Sequence, residues 1–544
     1  MKHNQSKQNV IARHWPALIA IAVLWLLLAV IYRKSLGHTH GNIVYALDDA
    51  YIHMAIAKNL ADHGVWGING YEFASASSSL LWTLILSAIY KLFGTIEIVP
   101  LVLNVMLATV AVLVAHIILS RRSLPRFYEM IVLVAFVLLT SLPSLVFTGM
   151  EHVLQIIAAI LFVCLAADSL ARGSGAGERA GYIWLCVLAL ALPMIRYEGI
   201  FLVLVVCVLY LLRGRCLHAL LLGFLAIIPV SVFGLISIHQ GSFFLPNSLL
   251  LKSGFVGGSM AHRVLSGLTT HIITLGDTSF MLMLLLVATA AYVLRFRVEP
   301  ALWEPEKIAL AALTGTTLLH ALFAQTGWFF RYEAYLIGLG VVVVGRALKE
   351  FVPTARQLAD KDPSQVARHV AVAMLLFVVF VPFLWRARRA LTRVPRATTN
   401  IYEQQYQMAL FLRYFYKGCA VGANDVGAIS ALADIRCVDL WGLGNLEVTR
   451  KKIRGYYGRG DIEELAKISG MRIAIVYDSW FDKLIPHVWV RVGQWTISNN
   501  VVCGGETVSF YAIAPKEKGR LVDCLRCFSR TLPRSVKQSG LYVD

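Results

Sequence analysis

Residues 15–31 read WPALIAIAVLWLLLAVI, and the architecture of the chain follows from how that run is interpreted. It holds no charge, it is preceded by Lys2, Lys7 and Arg13, and it is followed at once by Arg33 and Lys34. A helix of this length and apolarity suits a hydrocarbon layer about 30 Å thick. No small-x-small cleavage site follows it, so the run predicts an uncleaved anchor with a cytoplasmic N-terminus. The stretch from 34 to 78 is then a first outer loop.

Composition agrees. Of 544 residues, 58% are apolar and 15% charged, whereas soluble proteins carry about 25% charged residues. That excludes an ordinary cytosolic enzyme, a disordered tail and a secreted disulfide scaffold. The net charge of +18 does not point to nucleic acid, because Lys and Arg stand in short clusters between apolar runs, the pattern of loops held on the cytoplasmic side. Among nine cysteines, Cys164, Cys186, Cys207 and Cys216 lie in or beside apolar runs and read as small core residues. Cys419, Cys437, Cys503, Cys524 and Cys527 lie in the polar C-terminal part, where one or two disulfides are expected if that part is extracytoplasmic.

Ten further apolar runs lie near 97–119, 127–147, 153–170, 181–194, 199–212, 217–237, 276–294, 307–324, 332–348 and 369–385. Alternating crossings place the Arg121, Arg122 and Arg126 cluster inside, with Arg172 and Arg179, Arg213 and Arg215, Arg295 and Arg297, and the loop from Arg346 to Arg368. Counting Leu80–Phe93 as a span would invert every later loop, so it reads as a short helix in the outer half of the membrane or in the first loop. Between Gly181 and Arg213 a charge at mid-membrane would cost about 2.5–3.5 kcal/mol. Two short crossings with Arg196-Tyr197-Glu198-Gly199 at an outer tip cost less. The predicted fold is an α-helical polytopic membrane protein of about 11 transmembrane helices over residues 1–394, followed by an extracytoplasmic α/β domain over 395–544. In that domain, alternation predicts strands at 471–477 and 508–513 and a helix over 400–416.

This orientation gathers the unusual polar residues on one side. Leu47-Asp48-Asp49-Ala50-Tyr51-Ile52-His53 opens an amphipathic helix through about His63, with Asp49 and His53 on one face; carboxylates at a helix start also have a plain dipole reading. The same side carries Thr148-Gly149-Met150-Glu151-His152, Arg196 with Glu198, Leu245-Pro246-Asn247-Ser248 with Lys252, and Gln325 to Glu333 with Arg331. Burying ionisable groups near lipid is expensive and usually functional. P-loop, GxSxG and HExxH elements are absent from the sequence. Acids and bases at an outer face suit a sugar donor carried on polyprenyl phosphate. Arg and Lys hold its phosphate, which leaves without a general acid, and a carboxylate takes the proton of the acceptor hydroxyl. One displacement inverts the anomeric centre.

On these residues, with Ser77-Ser78-Ser79-Leu80-Leu81-Trp82, Asn424-Asp425-Val426-Gly427 and Val438-Asp439-Leu440-Trp441, the chain resembles the GT-C class of membrane glycosyltransferases, and is similar to its cell-wall arabinofuranosyltransferase branch. The resemblance implies a catalytic acid in the first outer loop, a polyprenyl-phosphate sugar donor and a glycan or glycolipid acceptor at the outer face of a bacterial cytoplasmic membrane. Asp48 is then the expected base, with Asp49 sharing or orienting the task. His53, Glu151, Arg196, Glu198, Asn247, Lys252 and Arg331 are expected about the donor phosphate or substrate. The chain departs from the pattern at Tyr197, where relatives commonly have Pro, and at Ser248, where they have Thr or Tyr. No metal cofactor is expected, although two carboxylates and an outer Glu could hold Mg²⁺ or Mn²⁺. The alternative is a transporter or flippase of lipid-linked envelope precursors, which would place its charges near the midplane in corresponding halves.

Overall fold

A computed structural model describes residues 2–121, 124–172, 176–252, 279–298, 301–351 and 363–543. The first anchor is part of one long helix, α1 (Lys2–His38). Then come α2 (Asp48–His63), α3 (Leu80–Phe93), α4 (Val99–Ser120), α5 (Arg126–Leu139), the short α6 (Leu142–Val146), α7 (His152–Ala171), α8 (Ala176–Ile195), α9 (Gly199–Leu212), α10 (Cys216–His239) and α11 (Asn247–Lys252). By length and composition, Arg13–His38, Val99–Ser120, His152–Ala171 and Cys216–His239 can each cross a membrane, and shorter apolar helices accompany them. The protein is a polytopic membrane protein with a C-terminal α/β domain.

Local chemistry sets the breaks. α3 is a separate short helix: Ser79 caps it, its hydroxyl accepting the Trp82 N–H at 3.2 Å, while Leu84, Leu92 and Phe93 stay exposed. Between α8 and α9 the chain leaves the helix at Arg196, where the sequence places two charges. Gly199 allows the tight return, since a Cβ there would lie 2.5 Å from the Leu192 carbonyl oxygen. The predicted run 127–147 is likewise divided, at Ser141, whose φ is 56°.

The remaining helices are α12 (Ser279–Val298), α13 (Pro305–Phe323), α14 (Ala334–Ala347) and α15 (Pro363–Ile401). α15 carries the chain without interruption past residue 395 and runs through a π-helical turn, Tyr402–Tyr406, into α16 (Gln407–Phe415). Beyond it lies a six-stranded mixed sheet of β1 (Ala420–Ala423), β2 (Arg436–Asp439), β3 (Met471–Val476), β4 (Val490–Thr496), β5 (Thr507–Ala512) and β6 (Lys537–Gly540), ordered β2-β1-β3-β5-β4-β6. β1 pairs in parallel with β2 and β3, and the other pairings are antiparallel. Trp495 is the centre of its core, packed on Phe510 at 4.4 Å and on Phe528 of α17 (Pro515–Ser529) at 5.8 Å between ring centroids. All nine cysteines are free thiols, so the disulfide expectation is not met: Cys437 and Cys503 are buried in the sheet and against Gln405, not side by side.

The α/β domain is tied to the helical part by polar caps. Asn69 exchanges two hydrogen bonds with the backbone of Cys437 on the edge strand β2, at 2.9 and 3.0 Å, which satisfies groups an open sheet edge would leave unpaired. Asn247 donates to the Leu443 carbonyl at 3.2 Å. The carboxylate of Asp48 accepts the backbone N–H groups of Gly427 and Ala428, both at 2.8 Å, at the start of the helical turn Gly427–Leu432. Residue 427 must be glycine, because a Cβ there would collide with Asp48.

Candidate functional site

α2 begins at Asp48, and one residue of helix turns a side chain by about 100°. The adjacent carboxylates therefore diverge. Asp48 faces the α/β domain. Asp49 faces the helical part, where Arg331 donates to it at 2.5 Å and leaves its side chain 23% exposed. Four residues on, His53 continues the Asp49 face and is buried. Its Nδ1 lies 3.1 Å from the Thr83 hydroxyl and 3.2 Å from that of Ser77, and its Nε2 lies 3.6 Å from Glu151. Burial pushes the His53 imidazole below its usual pKa.

Glu151 is fully buried and takes Arg196 at 2.7 Å, while Glu198 grips the same guanidinium with both oxygens at 2.9 and 3.1 Å. Such forked pairs are strong and directional. All three guanidinium nitrogens of Arg196 thus carry carboxylates, which makes it a pillar linking the α8–α9 tip to α7. Arg331 is differently placed: one terminal nitrogen serves Asp49 and the Tyr332 hydroxyl, the other reaches only the Met150 thioether at 2.8 Å, and its Nε has no hydrogen-bond partner. Both guanidinium carbons stand over the Tyr332 ring, at 5.3 Å for Arg196 and 4.9 Å for Arg331.

The Arg331 loop is held in costly geometry. Phe329 and Phe330 have φ of 52° and 62°, each costing about 1–3 kcal/mol for a non-glycine residue. Glu333 accepts the Gly327 N–H at 3.0 Å and Arg386 of α15 at 2.8 Å, and Arg386 also donates to the Phe330 carbonyl at 2.7 Å. The Thr148-Gly149-Met150-Glu151 turn is pinned by Trp82, which donates to the Gly149 carbonyl at 3.2 Å. Gly149 itself has φ of 67° and packs on the Tyr45 ring, leaving no room for a side chain.

Of the residues expected at the site, Asp49, His53, Glu151, Arg196, Glu198 and Arg331 are brought together. Asp48 and Asn247 stand instead on the seam with the α/β domain. Lys252 ends α11, and its side chain lies outside the described residues. Sequence reasoning did not single out Tyr332 as the ring shared by two arginines; Asp425, read from the sequence as a turn residue or a sugar contact, accepts from Gln405 and the Tyr477 hydroxyl at 2.7 Å each. Burial and the neighbouring Asp425 push the Asp48 carboxyl up to about 8, against the pull of its two backbone N–H donors. Asp439 shows the turn chemistry its Gly-containing surroundings suggest, accepting the backbone N–H groups of Trp441, Gly442 and Gly444. Among the described residues, no three His, Cys, Asp or Glu side chains converge as metal ligands.

ArnT from Cupriavidus metallidurans, crystallised bound to undecaprenyl phosphate, superimposes with a TM-score of 0.52 at 12% identity, over 91% of this chain and 99% of that one. Its apo structure gives 0.50 at 15% identity, over 92% and 99%. The chain has the GT-C fold. The archaeal oligosaccharyltransferase AglB from Archaeoglobus fulgidus, in complex with an inhibitory peptide and a dolichol-phosphate, matches at 0.47 and 11% identity over 98% and 77%. A domain of unknown function, DUF8728, matches residues 399–511, from the last turn of α15 through β5. No curated protein matches in sequence. The Asp49 cluster lies in the helical part, one residue from the Asp48 contact with the α/β domain.

Proposed function

We propose that this protein transfers a sugar from a polyprenyl-phosphate carrier to a hydroxyl of a cell-envelope glycan or glycolipid, with inversion, at the outer face of a bacterial cytoplasmic membrane. The observation that carries the reading is the Asp49–Arg331 pair, a carboxylate and a guanidinium with donors to spare at the edge of a buried polar cluster in a GT-C fold. Asp49 takes the proton of the attacking hydroxyl as the bond to the anomeric carbon forms. The bond from that carbon to the phosphate oxygen breaks, and Arg331 stabilises the charge left on the phosphate. Asp49 is preferred to Asp48 as base because the Asp48 carboxylate is spent on the Gly427 and Ala428 N–H groups. Asp48 then serves to seat the α/β domain over the site.

Arg196, held by two glutamates, fixes the floor of the site, and Lys252 is retained as a second phosphate ligand. The reaction is read as metal-independent, since Asp48 and Asp49 diverge and Arg331 occupies the cationic position beside Asp49. A Mg²⁺- or Mn²⁺-dependent rate in metal-depleted protein would count against this.

The test supplies purified protein with a panel of polyprenyl-phosphate sugars and an envelope-glycan acceptor, and compares wild type with Asp49→Asn and Asp48→Asn. Transfer lost in Asp49→Asn and reduced in Asp48→Asn is expected. If no donor is consumed but radiolabelled carrier lipid crosses proteoliposome membranes, the flippase reading replaces this one.

A further inference from the structure

His152 is the first residue of α7 and is completely buried, yet neither of its ring nitrogens has a hydrogen-bond partner among the described residues. Three residues on, Gln155 on the same helix is 1% exposed, and its amide oxygen and nitrogen are likewise unpaired. Buried polar groups in folded proteins are nearly always bonded, and an exception asks for an explanation such as an absent ligand. A neutral imidazole offers one donor and one acceptor, so an empty His152 wastes both.

Its surroundings define what it awaits. The ring meets Tyr332 edge-on at 6.5 Å between centroids, and that ring is the one over which Arg196 and Arg331 are stacked. Arg196 is consumed by Glu151 and Glu198, whereas Arg331 keeps Nε free and spends one terminal nitrogen on a thioether, a weak acceptor. Glu151, which precedes α7, turns its carboxylate to Arg196 and does not cap the helix. The N-terminal end of a long helix, which favours negative charge, an unpartnered imidazole and a guanidinium with unspent donors therefore meet around Tyr332, and that guanidinium also holds Asp49. An oxyanion with several acceptor oxygens satisfies all three.

We infer that His152 is a donor-binding residue that hydrogen-bonds the phosphate of the lipid carrier together with Arg331. The inference rests on the proposed transferase reading and adds to it a phosphate ligand supplied by α7.

The experiment uses the full chain in lipid nanodiscs and measures binding of undecaprenyl phosphate against undecaprenol, which shares the tail and lacks the phosphate. In His152→Ala, affinity for the phosphate falls about tenfold, the scale of one lost hydrogen bond, while affinity for the alcohol is unchanged. His152→Gln, which keeps a donor, restores part of it and guards against loss of folding in the alanine variant. In turnover, the donor KM rises more than kcat falls. Equal binding of phosphate by wild type and both variants overturns the assignment of His152 and leaves the transferase reading standing. A wild-type protein that binds the alcohol as tightly as the phosphate overturns both.

Discussion

At one end of the bundle, His116 of α4 lies 2.8 Å from His14 of α1 and 2.6 Å from Glu129 of α5, whose second oxygen takes Arg126 at 2.7 Å. Elsewhere in the helical part stand His152, His53, Arg331 and Asp49. Both clusters combine histidine, carboxylate and arginine, the first with His116 and Glu129 buried and Arg126 37% exposed. The first is closed, and each of its members finds a partner inside the protein. The second leaves the His152 nitrogens, Arg331 Nε and one Glu151 oxygen without hydrogen bonds. Completeness, not composition, separates a cluster that braces helices from one that waits for a ligand.

This contrast can be broken or sharpened by substitution. The largest effect is expected at Asp49→Asn, which should lower kcat by about 10³-fold, the usual worth of a positioned general base, with the protein still folded by its elution and thermal profile. Next is Arg331→Lys. Loss of the planar fork and its spare donors should lower kcat/KM by about 10²-fold, measured as the donor concentration is varied.

A smaller effect is expected at the seam. Asp48→Asn and Gly427→Ala should loosen the α/β domain, seen as faster proteolysis between α15 and β1. The pH dependence of that cleavage carries a sign. The folded pKa of Asp48, about 8, is above that of a free carboxyl, so the folded state binds the extra proton. Its contribution to docking is full below about pH 4, declines as pH rises and levels off above about 8. Wild type should therefore be cut faster at pH 8 than at pH 6, and Asp48→Asn should lose that difference.

The smallest effect on transfer is expected at Glu129→Ala. Activity at low temperature should be unchanged, while heat inactivation sets in earlier, because removing one partner of a buried pair costs about 3–5 kcal/mol. Equal loss of transfer in Glu129→Ala and Asp49→Asn would erase the distinction between the clusters.

Much of this was legible in the chain. The apolar run 15–31, the separate short helix Leu80–Phe93, the helix opened by Asp48-Asp49, the break at Arg196-Tyr197-Glu198 and the strands near 471 and 508 all follow from local rules of hydropathy, capping and alternation. Those rules act over a few residues. The uninterrupted course of α15 past residue 395 was not legible, since the polar composition that marks the start of a soluble domain is equally compatible with a helix emerging from lipid. Nor was the occupancy of Arg196. Its partner Glu198 is two residues away, but Glu151 stands 45 residues earlier, and no spacing rule joins them.

The sequence by itself determined that long apolar helices would make up most of the chain, that one pair would part at Arg196, and which ionisable residues were candidates for a shared site. Only the tertiary structure decided what each of them does. One helical step sends Asp48 to a backbone cap and Asp49 to an arginine, and a distant glutamate satisfies one guanidinium while another keeps its donors. Hydrophobic patterning is summed along the chain, whereas the satisfaction of a buried charge depends on which groups meet in space.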